Sequence, residues 1–258
     1  MSVEEEKERL ADGLGRFFHR ELDRRYNREH LRSIPEIRES GLLEDLPQEY
    51  LDRIGEFFKR VMYPVGAKRR ARNEGVETVE AILTNTPSLL ALLPKAAKVL
   101  LGNGPKLPKV ARAGLTVVSA YRLARRMEDK VLSALLEIIE DDGSRKDPEK
   151  IPEESYRRAE AAVSVEESSS VFEATEKIVR LGMDLSLMET TTELLEVIRE
   201  SRRDPGERES LAYVTSVVEE VRSLALDIDR ESVERILQLS RLNEEHYWRS
   251  LEERYANR

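Results

Sequence analysis

The sequence predicts an all-α protein, a bundle of about six to eight helices around one long central helix at about 108–139, with no sheet. The first observation behind this is the stretch from Pro108 to Ile139. Polar residues at Lys109, Arg112, Thr116, Ser119, Arg122, Arg126, Lys130, Ser133 and Glu137 trace one narrow stripe in steps of three and four, and nearly everything between them is apolar. An apolar arc this wide calls for packing on more than one side. At roughly 1.5 Å per residue the element would be on the order of 48 Å long. Second, three-and-four spacing recurs through the chain, whereas several period-two runs, the mark of a sheet, do not occur. Third, 36% charged and 40% hydrophobic residues suit long helices with charged outer faces, and only 5% aromatics leave a core built of Leu, Val, Ile and Ala.

From the start of the chain, Val3 to about Leu31 reads as one helix with Leu10, Leu14, Phe17, Phe18, Leu22 and Tyr26 on its apolar face. Pro35, Gly41 and Pro47 then cut the chain into short pieces. Gln48 to Met62 forms the next helix and ends at Tyr63-Pro64, because a residue before proline avoids the helical region. Lys68, Arg69, Arg70 and Arg72 follow. They read as the solvated start of a helix over Asn73 to Thr84 or, more sharply, as a contact for phosphate. Thr86-Pro87 opens an almost wholly apolar helix, Ser88 to Leu101. There Leu89, Leu90, Leu92, Leu93, Leu100 and Leu101 leave a polar edge of only Lys95 and Lys98, and Pro94 imposes a kink. Gly102-Asn103-Gly104-Pro105 is a hairpin turn into the central helix, since a phosphate-cradling loop would need a preceding strand and another glycine spacing. Pro108 suits the first helical turn, and Asp141-Asp142-Gly143 supplies the stop.

Asp141 to Pro152 is the clearest linker. We read residues 1–258 as a single helical domain that would subdivide, if anywhere, at 141–152, into a part with the basic apolar centre (1–140) and an acidic long-helix part (153–258). Glu153 to Arg202 reads as a second long helical region, with Gly182 as a bend. Asp204-Pro205-Gly206-Glu207 has the cap, first-turn proline and capping acid of a helix start. Asp229 caps the last helix, with Val233, Ile236, Leu237, Ser240, Tyr247, Leu251 and Tyr255 along one side.

Charge is placed unevenly. The 47 residues from Ala81 to Met127 contain no Asp or Glu, while Lys95, Lys98, Lys106, Lys109, Arg112, Arg122, Arg125 and Arg126 contribute +8. Against a total of −8, the remainder of the chain carries −16. Such asymmetry bears on partners rather than on fold.

Several chemistries lack their residues. With 0 cysteines there is neither disulfide nor thiolate ligand, which fits a reducing cytoplasm. The acidic first residues are unlike a signal peptide, and no uncharged apolar run reaches the roughly 18 residues of a membrane span. Glu-x-x-His, the repeat of di-metal bundles, is absent: His19, His30 and His246 have Arg16, Asn27 and Asn243 three residues before them. No nucleophile elbow occurs. Neither a cofactor nor a metal is therefore expected, and nucleic acid is disfavoured, because no aromatic residue lies between Tyr63 and Tyr121 to stack bases among the cations.

The expectation that follows is a non-catalytic helical interaction or scaffold protein. Its basic apolar centre would dock on acidic surfaces of a protein partner or of a second copy, with Lys68 to Arg72 and the eight cations above as contacts and the leucines of Leu89 to Leu101 supplying affinity. The alternative is a peripheral protein of anionic membranes or a binder of hydrophobic ligands, using the same segment. An enzyme whose site is assembled from distant residues ranks third.

Overall fold

Helices account for the architecture because the apolar stripes have nowhere else to go. A computed structural model of the chain describes residues 2–62, 69–84, 109–142, 150–163, 165–183 and 205–256. Among the described residues there are ten α-helices and no strand: α1 (Val3–Arg25), α2 (Arg28–Ser33), α3 (Pro35–Ser40), α4 (Gln48–Met62), α5 (Arg69–Thr84), α6 (Lys109–Asp141), α7 (Glu153–Ala161), α8 (Val165–Met183), α9 (Pro205–Asp227) and α10 (Arg230–Leu251). A π-helical turn, Glu252–Ala256, extends α10.

The chain forms two compact units. One comprises Met1–Gly66, Arg122–Glu176 and Ile228–Arg258, and the other Ala67–Tyr121 and Lys177–Asp227. The division does not follow the 141–152 segment, both sides of which lie in the first unit.

The predicted central helix is α6, one continuous element of 33 residues. Its burial follows the predicted stripe: Val131, Leu132 and Leu135 are fully buried, whereas Ser119, Arg122, Arg126, Lys130 and Glu137 are exposed. In the first unit, Leu10, Leu14, Phe17 and Phe18 of α1 join Met127 to Ile139 of α6, Tyr156 and Ala159 of α7, and Tyr247, Trp248 and Leu251 of α10 in one core. Phe17 stacks on Tyr156 with ring centres 5.4 Å apart. In the second unit α5 lies along α9, burying Val76 and Val79 on one and Val214, Val217, Val218 and Val221 on the other. Tyr121 of α6 donates a 2.7 Å hydrogen bond to Asn73 Oδ1 of α5.

Two elements expected as single helices are divided. The first ends at Arg25, and Asn27 then caps α2, its Oδ1 accepting from the backbone N–H groups of Glu29 (2.9 Å) and His30 (3.1 Å). A side-chain acceptor that satisfies two orphan donors competes with continuing the helix, and periodicity does not register that competition. The region begun at Glu153 likewise breaks after Ala161, where Ala162 and Val163 turn the chain into α8. Helix α5 starts at Arg69 rather than Asn73, taking Arg69 to Arg72 into its first turn. The predicted elements over 88–101 and 184–202 lie outside the described residues.

Local chemistry explains the remaining starts and stops. Ser2 and Glu5 form a capping box on α1, Gly41 ends α3 in the left-handed region at φ 66°, and Asp229 caps α10 by accepting from Ser232 N–H at 2.9 Å. Arg235 of α10 donates to the carbonyls of Leu42 and Glu44 and so holds the 41–46 loop.

Gly55 tests how tightly α1 and α4 meet. A Cβ there would lie 3.2 Å from Tyr26 Cδ2, and that ring is pinned by its hydrogen bond to Ser240 and by Phe58, 5.6 Å away. Helix propensity favours Gly55→Ala by up to about 1 kcal/mol, but overpacking a fixed ring costs about 1–3. A net loss of about 1 kcal/mol is expected in urea unfolding, and a gain in stability would show that the ring can retreat.

Candidate functional site

The contact residues anticipated from sequence divide into three groups. Lys68, Lys95, Lys98 and Lys106, with Leu89, Leu90, Leu92, Leu93, Leu100 and Leu101, lie outside the described residues. Arg69, Arg70 and Arg72 occupy the first turn of α5, and Lys109 and Arg112 begin α6; neither first turn contains an acid. Of the last group, Arg125 and Arg126 pair within the first unit. Arg125 donates to Glu128 at 2.5 Å and reaches Asp129 at 3.8 Å, while Arg126 (3.1 Å) and Lys130 (2.6 Å) converge on one oxygen of Glu167. The hydrogen bond from Lys130 holds the Glu167 carboxyl below its ordinary range. Arg122 is exposed.

A second constellation, which spacing did not reveal, lies inside the first unit. Three helices each carry charge into the core: Glu21 and Arg25 on α1, Arg157 and Glu160 on α7, and Asn243, Glu244 and Tyr247 on α10. Arg25 donates from Nη1 to Glu244 at 2.5 Å, places Nη2 3.5 Å from Glu160, and lies over the Tyr247 ring with its guanidinium carbon 3.8 Å from the centroid. Burial works against its charge, but the surrounding groups, Glu244 foremost, outweigh burial and hold it ionised. Arg157 donates to Glu21 and Glu153, both at 2.6 Å. Trp248 donates its indole N–H to Glu244 at 2.6 Å.

Glu160 is the constrained member, only 1% exposed. Tyr247 O–H donates to one oxygen and Arg25 faces the other. Even so, burial foremost, with Glu21 and Glu244 adding like charge, pushes its carboxyl up to about 7. Burial likewise raises the Tyr247 phenol well above its usual value. With every acid ionised, four carboxylates, Glu21, Glu153, Glu160 and Glu244, face two guanidinium groups, and a proton on Glu160 reduces the excess of negative charge.

A cavity of about 40 Å³ adjoins this network. Its walls include Phe18, Tyr26, Phe58, Phe172 and Trp248, and its polar edge includes Glu21, Glu160 and Asn243. The signal that could have exposed the site is an interruption of apolar stripes: Glu21 and Arg25 fall in step with Leu14, Phe17 and Phe18 on α1, and Asn243 falls between Ile236 and Tyr247 on α10. Among the described residues, no group of three or more His, Asp or Glu is placed to hold a metal ion, and no helix is long and apolar enough to cross a membrane.

The raised Glu160 carboxyl sets a sign for stability. Between its ordinary value of 4.5 and about 7 the folded chain holds a proton that the unfolded chain has lost, so stability falls as pH rises through that window and levels above it. The total is on the order of 3 kcal/mol. His30, whose charged form is disfavoured by burial and then by Arg24, contributes the opposite slope below 6.5. The difference between wild type and Glu160→Gln isolates the carboxyl. In urea unfolding followed by Trp248 fluorescence, the variant should gain on wild type as pH rises from about 5 to about 8; a pH-independent difference would place the Glu160 proton elsewhere.

Comparison of the chain with models of protein families, with curated proteins and with solved structures found no match.

Proposed function

We propose that the protein is a non-catalytic helical interaction protein whose basic centre docks on acidic protein surfaces, a second copy of the same chain included. The observation that carries the reading is the charge at helix starts. Helices α1, α3, α4, α7 and α10 begin on acids, Glu4 to Glu6, Glu36, Glu49, Glu153 with Glu154, and Glu231, as the positive end of a helix dipole favours. Helices α5 and α6 begin on cations, with no acid in either first turn. Each such cation costs the isolated helix roughly 0.3–1 kcal/mol. The same arrangement attracts an anionic partner, because the dipole and the side-chain charges then act in one direction.

The rest of the charge pattern supports the same partner. The acid-free span continues through Lys95, Lys98 and Lys106, and the remainder of the chain, at −16, offers a complementary surface on a second copy. The leucines between Leu89 and Leu101 would supply apolar area at the contact.

Charge reversal separates docking from folding. Arg69→Glu with Arg70→Glu should stabilise the chain against urea by roughly 0.3–1 kcal/mol per position, while weakening association at least about tenfold. Sedimentation equilibrium at low and high salt, alone and with polyglutamate, reads the second effect; Lys95→Glu with Lys98→Glu should weaken it as well. A chain that stays monomeric at low salt and ignores polyglutamate would overturn the proposal. Binding to anionic vesicles but not to polyglutamate would move the contact to a membrane surface.

A further inference from the structure

The cavity in the first unit has more hydrogen-bond acceptors than the protein uses. Glu21, 4% exposed, gives Oε1 to Arg157 and leaves Oε2 buried without a hydrogen-bond partner. Asn243, 2% exposed, donates Nδ2 to the Arg25 carbonyl at 2.7 Å and leaves Oδ1 buried without one. Both residues line the cavity. A buried acceptor with nothing to accept costs desolvation free energy with no return, so native structures leave few of them, and a carboxylate oxygen is the least tolerable. The neighbouring unpartnered donor, Arg25 Nε, belongs to a guanidinium already held by Glu244 and Glu160.

Size, walls and charge narrow what would complete the site. By the rule that one water needs about 10–15 Å³ of such space, about 40 Å³ takes roughly three water-sized groups. The rings of Phe18, Phe58, Phe172 and Trp248 line the cavity, and aromatic rings attract a cation once it leaves water. With Glu160 ionised, carboxylates outnumber the guanidinium groups of Arg25 and Arg157 around the cavity, and a bound cation offsets that excess in place of the Glu160 proton. We propose that this cavity binds the head of a small organic cation, a primary ammonium or a guanidinium, whose N–H groups donate to Glu21 Oε2 and Asn243 Oδ1 and whose carbon skeleton lies against the aromatic walls.

Proton linkage gives the site a signature. Glu160 faces Glu21 and Arg25 of α1, Glu244 and Tyr247 of α10, and lies one helical turn from Arg157 on its own α7. Without ligand its carboxyl stands at about 7; a cation beside it releases that proton, so affinity rises with pH through neutrality. His30 of α2, whose charged ring is favoured by Asn243, competes with the ligand for the Asn243 oxygen at low pH and acts in the same direction.

Trp248 is the sole tryptophan and lines the cavity, so its fluorescence reports occupancy. The test titrates the full chain with ethylammonium and, separately, with 1-propanol, a neutral molecule of similar size. Ethylammonium should produce a saturable change with a Kd on the order of millimolar, the limit that so few atoms allow, and propanol none. Affinity should rise severalfold from about pH 6 to about pH 8 in wild type, and much less in Glu160→Gln. Glu21→Gln should bind at least about tenfold more weakly. No saturable change with ethylammonium, an equal response to propanol, or unchanged affinity in a folded Glu21→Gln would each overturn the site and leave a cavity that ordered water fills. Should Glu21→Gln fail to fold by circular dichroism, the comparison of ammonium with alcohol on wild type decides alone.

Discussion

The desolvation of Arg25 is the constraint around which the first unit is built. A guanidinium with a side chain 12% exposed persists only if anions and acceptors stand where its nitrogens point. Glu244 must come from α10 and Glu160 from α7, so the three helices are committed to one register before any apolar contact is counted. The apolar contacts then fall into place around that register: Phe17 on Tyr156, Tyr247 edge-on to Trp248, and Leu10 and Leu14 against α6. Apolar packing contributes most of the stability, because it is proportional to area, but it is indifferent to small slips along a helix. Hydrogen bonds to a buried charge are not.

Charge in this chain is arranged under two different rules. In the first unit nearly every cation with a described contact meets a carboxylate, and the helices begin on acids and so agree with their own dipoles. At the starts of α5 and α6 the agreement is reversed. The paired cations Arg125 and Arg126 mark where the acid-free stretch gives way to ordinary pairing on α6. The asymmetry visible in composition is thus partly consumed inside the fold, and among the described residues it also shows at two helix starts.

The two proposals come from one kind of observation. A sequence that specifies its fold satisfies local rules almost everywhere, and departures concentrate where something other than folding is served. Cations at positive helix ends are one departure, and the unpartnered oxygens of Glu21 and Asn243 beside one cavity are the other. The first calls for an anionic surface, and the second for a small cation with N–H donors.

What the sequence by itself determined was the class of structure and those boundaries that local chemistry decides. Helix α4 begins after Pro47 and ends before Pro64, α6 stops at the Asp141-Asp142 pair, and Asp229 caps α10, because a missing N–H or a side-chain acceptor acts within one turn of where it sits. The stripes of α1, α4, α6 and α10 were legible for the same reason, since helical period assigns a face from neighbours three and four residues away. The breaks at Asn27 and after Ala161 were not, because a period names the face and says nothing of whether the backbone continues. Only the tertiary structure decided the buried site: Arg25 lies 135 residues from Glu160 and 219 from Glu244, and desolvation, which gives those charges their force, exists only once the helices between them have closed over it.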